Sequence, residues 1–322
     1  LRARSQEGDV RFHAYLPTYW DDYGSDSMDA AIVTAAKAAA ELGYEGVWAN
    51  DRLLVRAEEY GGAPVGQILE PLVTLASLAH VVPGLILGTA VVVLPVREPI
   101  LVAKQATALH VLSGGRLVLG VGIGHWEPEF AALGRSFSLR ARNTDEAIEV
   151  MQTLWREPVA SYHGRFFDFE EFAQQPRPHG GGPPIWVGGN SPGAIRRTAR
   201  YGSGWLAFVN DGDRFLSDLE GFRSQVALLR ELTVGRQRPT VANMFYLRLE
   251  RQDEPKTVRS TTPWAPTAFA GSADALAAHI RGYGDAGLDD ALMVFESEGV
   301  DDLLRQMEAF AEHVAPRFAS AG

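Results

Sequence analysis

Two hydrophobic rhythms alternate along the chain. Short, nearly all-apolar runs predict strands at 11–17, 45–50, 85–94, 117–124, 184–189, 204–209, 239–249 and 290–295. Between them, apolar residues recur every three to four positions and predict helices at 27–42, 71–82, 99–112, 139–155, from 192, 213–233, 272–287 and 300–314. In the first helix Met28, Ile32, Ala35, Ala39 and Leu42 share one face, and Gly43 marks the stop. Pro71, Pro99 and Pro192 each sit where proline suits the first helical position. The run LILGTAVVVL at 85–94 carries no charge and reads as a strand buried on both faces, as in a parallel sheet. Residues 161–172 read as a small hairpin, and 250–271 as an irregular stretch rich in Pro, Thr and Gln.

Eight strands, each followed by a helix, imply a parallel sheet. With no linker between the halves, the expected fold is α/β: a closed (β/α)8 TIM barrel over residues 1–322, one domain, with a variable insertion after strand seven. In such a barrel the chemistry sits just after each strand, so those positions are the ones to search.

Composition narrows the function classes. The 30 Lys+Arg against 40 Asp+Glu give a net charge of −10, with no long basic run, so neither nucleic acid nor an anionic membrane is an expected partner. An anionic ligand would need a local site. Cysteine is absent, which removes disulfides, thiolate metal sites and Cys nucleophiles, and a cytoplasmic location is expected. Every apolar run is shorter than the ~18–20 residues of a membrane span, and the first nine residues have no apolar core of a signal peptide.

Three strand ends carry candidate chemistry. Asn50-Asp51-Arg52 follows strand two; it is either a site or a solvated strand end. Gly120-Val121-Gly122-Ile123-Gly124-His125-Trp126-Glu127 follows strand four. It fails as a dinucleotide fingerprint, because His125 stands where glycine is needed and no acidic strand end follows. Its glycines, Gly122 among them, are expected to admit a ligand close to the backbone. After strand five, Gly188, Gly189, Asn190 and Ser191 precede Pro192; free N–H groups at a helix start suit a phosphate, with Arg196 and Arg197 adding charge. The Ser113-to-Arg116 turn lies on the opposite, stability face of the barrel. No HExxH, GxSxG or P-loop is present, and no metal site is expected.

Several long segments in order resemble the luciferase-like monooxygenase superfamily: EPLVTLA from Glu70, LGTAVVVLPVREPILVAKQATALHVLSGGRLVLGVGIG, EFAALGRSFSLRARNTDEAIEVMQTLW and PPIWVGGNSPGAIRRTARYGSGW. The resemblance implies a TIM barrel binding FMN or the deazaflavin F420 at the strand ends. It implies that Gly188 to Ser191 take the cofactor phosphate. Ala90-Val91 falls where relatives carry a non-prolyl cis peptide behind the cofactor ring, and Asp51 matches the acid of an Asp-His pair near its reactive edge. Arg52 replaces the histidine of that pair, and arginine cannot act as a base near neutral pH. Arg52 is then expected to hold an anion, with His125 as acid or base, titrating between about 6 and 7.5, and Glu129 as its substitute. The expected activity is F420-dependent hydride transfer to or from a small organic substrate. The alternatives are an FMN-dependent monooxygenase fed by a separate flavin reductase, or a flavin-binding protein without turnover. A homo-oligomer, at its simplest a dimer, is expected. Tyr15, Tyr19, Trp20, Tyr23 and Trp264 are candidates for an aromatic substrate pocket.

Overall fold

A computed structural model describes residues 10–18, 20, 23, 26–54, 68–208, 218–251, 255–260 and 267–318. Eight strands form its centre: β1 (Arg11–Tyr15), β2 (Gly46–Ala49), β3 (Ile86–Thr89), β4 (Leu117–Gly122), β5 (Ile185–Gly188), β6 (Gly204–Ala207), β7 (Thr240–Leu249) and β8 (Asp290–Phe295). Each pairs in parallel with the next, and β8 returns to β1 through Arg11↔Asp290 and His13↔Leu292, which closes the barrel. Around it lie α1 (Met28–Glu41), α2 (Pro71–Leu78), α3 (Pro99–Leu112), α4 (Glu127–Ala132), α5 (Arg140–Arg156), α6 (Pro192–Tyr201), α7 (Leu219–Leu232), α8 (Ala273–Asp285) and α9 (Val300–His313).

Local sequence explains the boundaries. Ser27 and Leu42 flank α1, and Gly43 leaves it at φ +82°, a conformation open to glycine. Glu70, Ser191, Asp218 and Ser272 each accept an N–H of the first turn they precede. Proline opens α2, α3 and α6. Period-two alternation sends one set of strand residues outward to the helices and the other into the lumen. Inside, Trp48 and Trp186 pack with ring centroids 5.0 Å apart. A Cβ on Gly88 would overlap the Trp48 ring, and one on Gly204 would lie 2.5 Å from Trp186, so these glycines are set by lumen packing.

Three expectations change. The apolar run 85–94 is not one strand. From Gly88↔Val118 to Val92↔Val121 the chain takes four steps against three on β4, so one extra residue bulges out, and the strand resumes only at Val92–Val93. The Ala90–Val91 peptide within this bulge is cis, at the position the resemblance implies. The stretch 250–271 also contains order: Lys256–Arg259 and Thr267–Gly271 pair antiparallel, and the latter runs parallel to the end of β7. Finally, α4 has no counterpart in the predicted elements. The hairpin is present, as Ala160–His163 against Asp168–Phe172.

The Ser113–Arg116 segment is a turn, with Arg116 donating to the carbonyls of Ala79, Val82, Leu85 and Ser113. Among the described residues no helix is long and apolar enough to cross a membrane, and no cluster of three His, Asp or Glu could hold a metal.

Candidate active site

The turn after β2 is fixed from three sides. Asn50 accepts a hydrogen bond from the Thr18 hydroxyl at 2.5 Å, tying the turn to the end of β1. Asp51, its side chain 1% exposed, has both oxygens occupied: Oδ2 accepts from the Val93 N–H at 2.9 Å and Arg97 Nε at 3.0 Å, and Oδ1 from Arg97 Nη2 at 2.7 Å. Arg97 also lies 2.9 Å from Glu70 at the head of α2, close enough for an ion pair though not aligned as a hydrogen bond to that oxygen. Glu129, in the first turn of α4 and buried, accepts the N–H groups of Leu53 at 2.8 Å and Leu54 at 3.1 Å. Arg52 takes no part in these staples. Its guanidinium lies 5.3 Å from the centre of the Trp126 ring, a cation–π contact across to the residue before α4.

His125 precedes Trp126. It is an exposed residue whose imidazole is nonetheless partly desolvated by the surrounding protein. That partial desolvation, and then the charge of Arg52, hold its pKa below the ordinary histidine value. The neutral imidazole is therefore the form present at pH 7.

The glycines flanking the bulge are required by packing. A Cβ on Gly122 would lie 2.6 Å from Val91 Cγ2, and one on Gly188 2.8 Å from Val91 Cγ1. A Cβ on Gly120 would overlap the Thr89 carbonyl oxygen. The space at Gly122 and Gly188 is thus filled by Val91, and these glycines seat the bulge on β4 and β5. Tyr15 closes the other side, its hydroxyl donating to the Ala90 carbonyl at 3.2 Å.

Beyond β5, Gly189 turns at φ +124° and donates its N–H to Leu206. Asn190 is held by the backbone of Phe208, which it both donates to and accepts from. Ser191 caps α6 by accepting from Ala194 at 3.1 Å. The first N–H groups of a helix have no acceptor within it, and Gly193 presents one with no side chain above it. Arg197 adds nothing to this turn: it is buried, and its guanidinium binds Asp145 and the Ala141 carbonyl on α5. Arg196 is exposed.

The structure therefore gathers Arg52, His125, Val91 and the α6 start around the C-terminal ends of the strands. Asp51 and Glu129 lie there too, but as backbone anchors. Of the aromatic candidates, Tyr15 and Tyr23 are buried, Tyr23 donating to the Pro17 carbonyl; Trp20 is half-buried with its ring 5.6 Å from that of Tyr23; Tyr19 and Trp264 fall outside the described residues. Sequence reasoning missed Arg97 and Thr18, whose partners lie 46 and 32 positions away. It also missed the buried pair His13–Asp290 at 2.7 Å, which lies at the opposite end of the barrel. A cleft of about 270 Å³ beside Arg11, Tyr44, Glu45 and Phe318 is likewise at that N-terminal end, away from the strand termini where chemistry sits.

The profile of the luciferase-like monooxygenase family matches residues 11–248, and the chain belongs to that family. It is 34% identical over 211 residues to an uncharacterized protein of Mycobacterium tuberculosis, spanning 62% of this chain and 71% of the relative. It is 25% identical over 328 residues to the F420-dependent glucose-6-phosphate dehydrogenase of Amycolatopsis mediterranei, spanning 90% and 95%. Among solved structures, monooxygenase RslO1 from Streptomyces bottropensis superposes with a TM-score of 0.79 at 22% identity, over 96% of this chain and 100% of that one. F420-dependent dehydrogenases and FMN-dependent monooxygenases both occur among its relatives and structural neighbours.

Proposed function

We propose that this chain binds the deazaflavin F420 at the barrel mouth and moves a hydride equivalent between it and a small organic substrate. The observation that carries the reading is the pairing of a fixed cation, Arg52, with a reachable, neutral histidine, His125, at the strand ends. Such a pair serves a reaction that builds negative charge and moves a proton at one place. A relative that matches this chain almost end to end is named F420-dependent, which supports that choice of cofactor.

The residues present fit a flavin-type group. The start of α6, with the Gly193 N–H and the turn Gly189–Ser191, suits its phosphate. Val91, wedged over Gly122 and Gly188, offers an apolar support for its ring system. When bound, F420 supplies or accepts the hydride. Arg52 provides positive charge at the site throughout, because its guanidinium stays protonated at any working pH. His125, neutral at pH 7, is set to take a proton from a substrate hydroxyl, which suits the oxidising direction. Asp51 and Glu129 hold the turn.

The test is a titration of the purified protein with F420 and, separately, with FMN, following the fluorescence of each. Saturable quenching of F420, with FMN weaker by tenfold or more, is expected. Tight FMN binding without F420 binding would replace this reading by the monooxygenase one, with its separate reductase. Binding of neither would end both.

A further inference from the structure

Four of the five residues from Asn50 to Leu54 have a polar group spoken for. Asn50 is bound by Thr18, Asp51 by Val93 and Arg97, and the N–H groups of Leu53 and Leu54 by one carboxylate oxygen of Glu129. The residue left over is Arg52, and its guanidinium lies over Trp126, the residue just before the short helix from which Glu129 reaches back. Glu129 and Trp126 are thus two ends of one device. The carboxylate fixes the backbone immediately after Arg52, and the indole receives its guanidinium.

We propose that Glu129 is a positioning residue: by gripping the Leu53 and Leu54 N–H groups it sets where the Arg52 charge stands, and it acts on the reaction only through Arg52. The chemistry of the contact supports this. Both bonds go to one oxygen, both donors are backbone, and the residue is buried, 3% exposed, so the contact is a fixed part of the fold. What the contact requires is an acceptor oxygen at the length of a Glu side chain. A negative charge is not required. Two substitutions separate these needs. Glu129→Gln keeps the reach and a carbonyl oxygen with two lone pairs but removes the charge. Glu129→Asp keeps the charge but falls one methylene short.

The first readout needs no cofactor: the titration of the His125 ring, followed by NMR. Arg52 is the charge that acts on His125, and Glu127 and Glu129 are the acidic groups of the adjoining helix. If the grip sets Arg52, Glu129→Asp lets Arg52 move away and the His125 pKa rises, although the net charge of the protein is unchanged. In Glu129→Gln the grip persists, and loss of a nearby negative charge can only hold that pKa level or lower it. The two signs are opposed. The second readout rests on the hydride-transfer reading: with F420 and substrate, kcat of Glu129→Asp falls by about ten- to a hundredfold, the scale of a misplaced group. Glu129→Gln rescues most of that loss. Thermal unfolding of each variant confirms that it is folded. A His125 pKa that stays put in Glu129→Asp, or a loss of turnover in Glu129→Gln that Glu129→Asp does not share, overturns the proposal and returns Glu129 to a role that needs its charge. If neither cofactor supports turnover, the hydride-transfer reading fails while the ring titration still decides the positioning role.

Discussion

Replacing Arg97 with Met keeps the aliphatic stem and removes the guanidinium, and its consequence can be worked from the contacts. Asp51 would lose two charge-assisted hydrogen bonds while its side chain stays 1% exposed, keeping only the Val93 N–H. Removing one partner of a buried pair in this way costs about 3–5 kcal/mol, chiefly for the orphaned charge. The contact with Glu70, whose side chain is 28% exposed, adds little to that. With an unfolding entropy of about 2.1 cal/mol/K per residue, a chain of 322 residues should lose about 4–7 °C in Tm. Differential scanning calorimetry reads this directly. Adding Asp51→Asn should recover part of the loss, since the orphaned charge is then gone. A fall of less than about 1 °C in the single variant, or a double variant with the two losses simply added, would refute the claim that Asp51 is a buried anchor of the bulge strand.

Other outcomes follow from the same geometry. His125→Gln should abolish an inflection in the pH–rate profile, which the depressed pKa places below the ordinary histidine value. In the oxidising direction the wild-type rate should fall as pH drops through that pKa, because the imidazolium cannot accept a proton; a profile unchanged by the substitution would give the proton to another group. Arg52→Ala should lower turnover at every pH and raise the His125 pKa; an unmoved pKa would mean that the two do not interact. For the phosphate site, Gly193→Val is a cleaner probe than Gly189→Val. Gly189 sits at φ +124°, where a β-branched residue strains the backbone by itself, whereas at Gly193 the nearest atom to a new Cβ is Ser191 Oγ at 3.5 Å. Gly193→Val should weaken cofactor binding at least tenfold with little change in Tm, and unchanged affinity would move the anion elsewhere.

The barrel was legible because its information is local. Eight alternations of period, with proline and capping residues at the helix starts, place each element within a few residues, as at α1, expected over 27–42 and found at Met28–Glu41. The bulge, by contrast, could not be read from the hydrophobic pattern and was expected only from the resemblance, with its cis peptide at Ala90–Val91. LILGTAVVVL carries no charge, and hydrophobic pattern cannot register an extra backbone residue; the signal lay instead on the neighbours Gly120, Gly122 and Gly188, where a Cβ would meet the Thr89 carbonyl or Val91. Charged strand-end residues were found but not sorted. Asp51 and Glu129 look like acid–base chemistry in one dimension, and only the partners, Arg97 with Val93 and the N–H groups of Leu53 and Leu54, reveal them as anchors. Arg197 was misread similarly, since its mate Asp145 lies 52 positions back.

The central claim is that the C-terminal mouth of this barrel holds F420, with its phosphate at the start of α6 and its reactive edge beside Arg52 and His125. A crystal structure of the chain with F420 tests this most directly. The account predicts phosphate density against the N–H of Gly193 and the Gly189–Ser191 turn, the ring system against Val91, and the Arg52 guanidinium facing the ring edge from its place over Trp126. Density for the cofactor at the other end of the barrel, or at the mouth with Arg52 and His125 turned away from it, would contradict it.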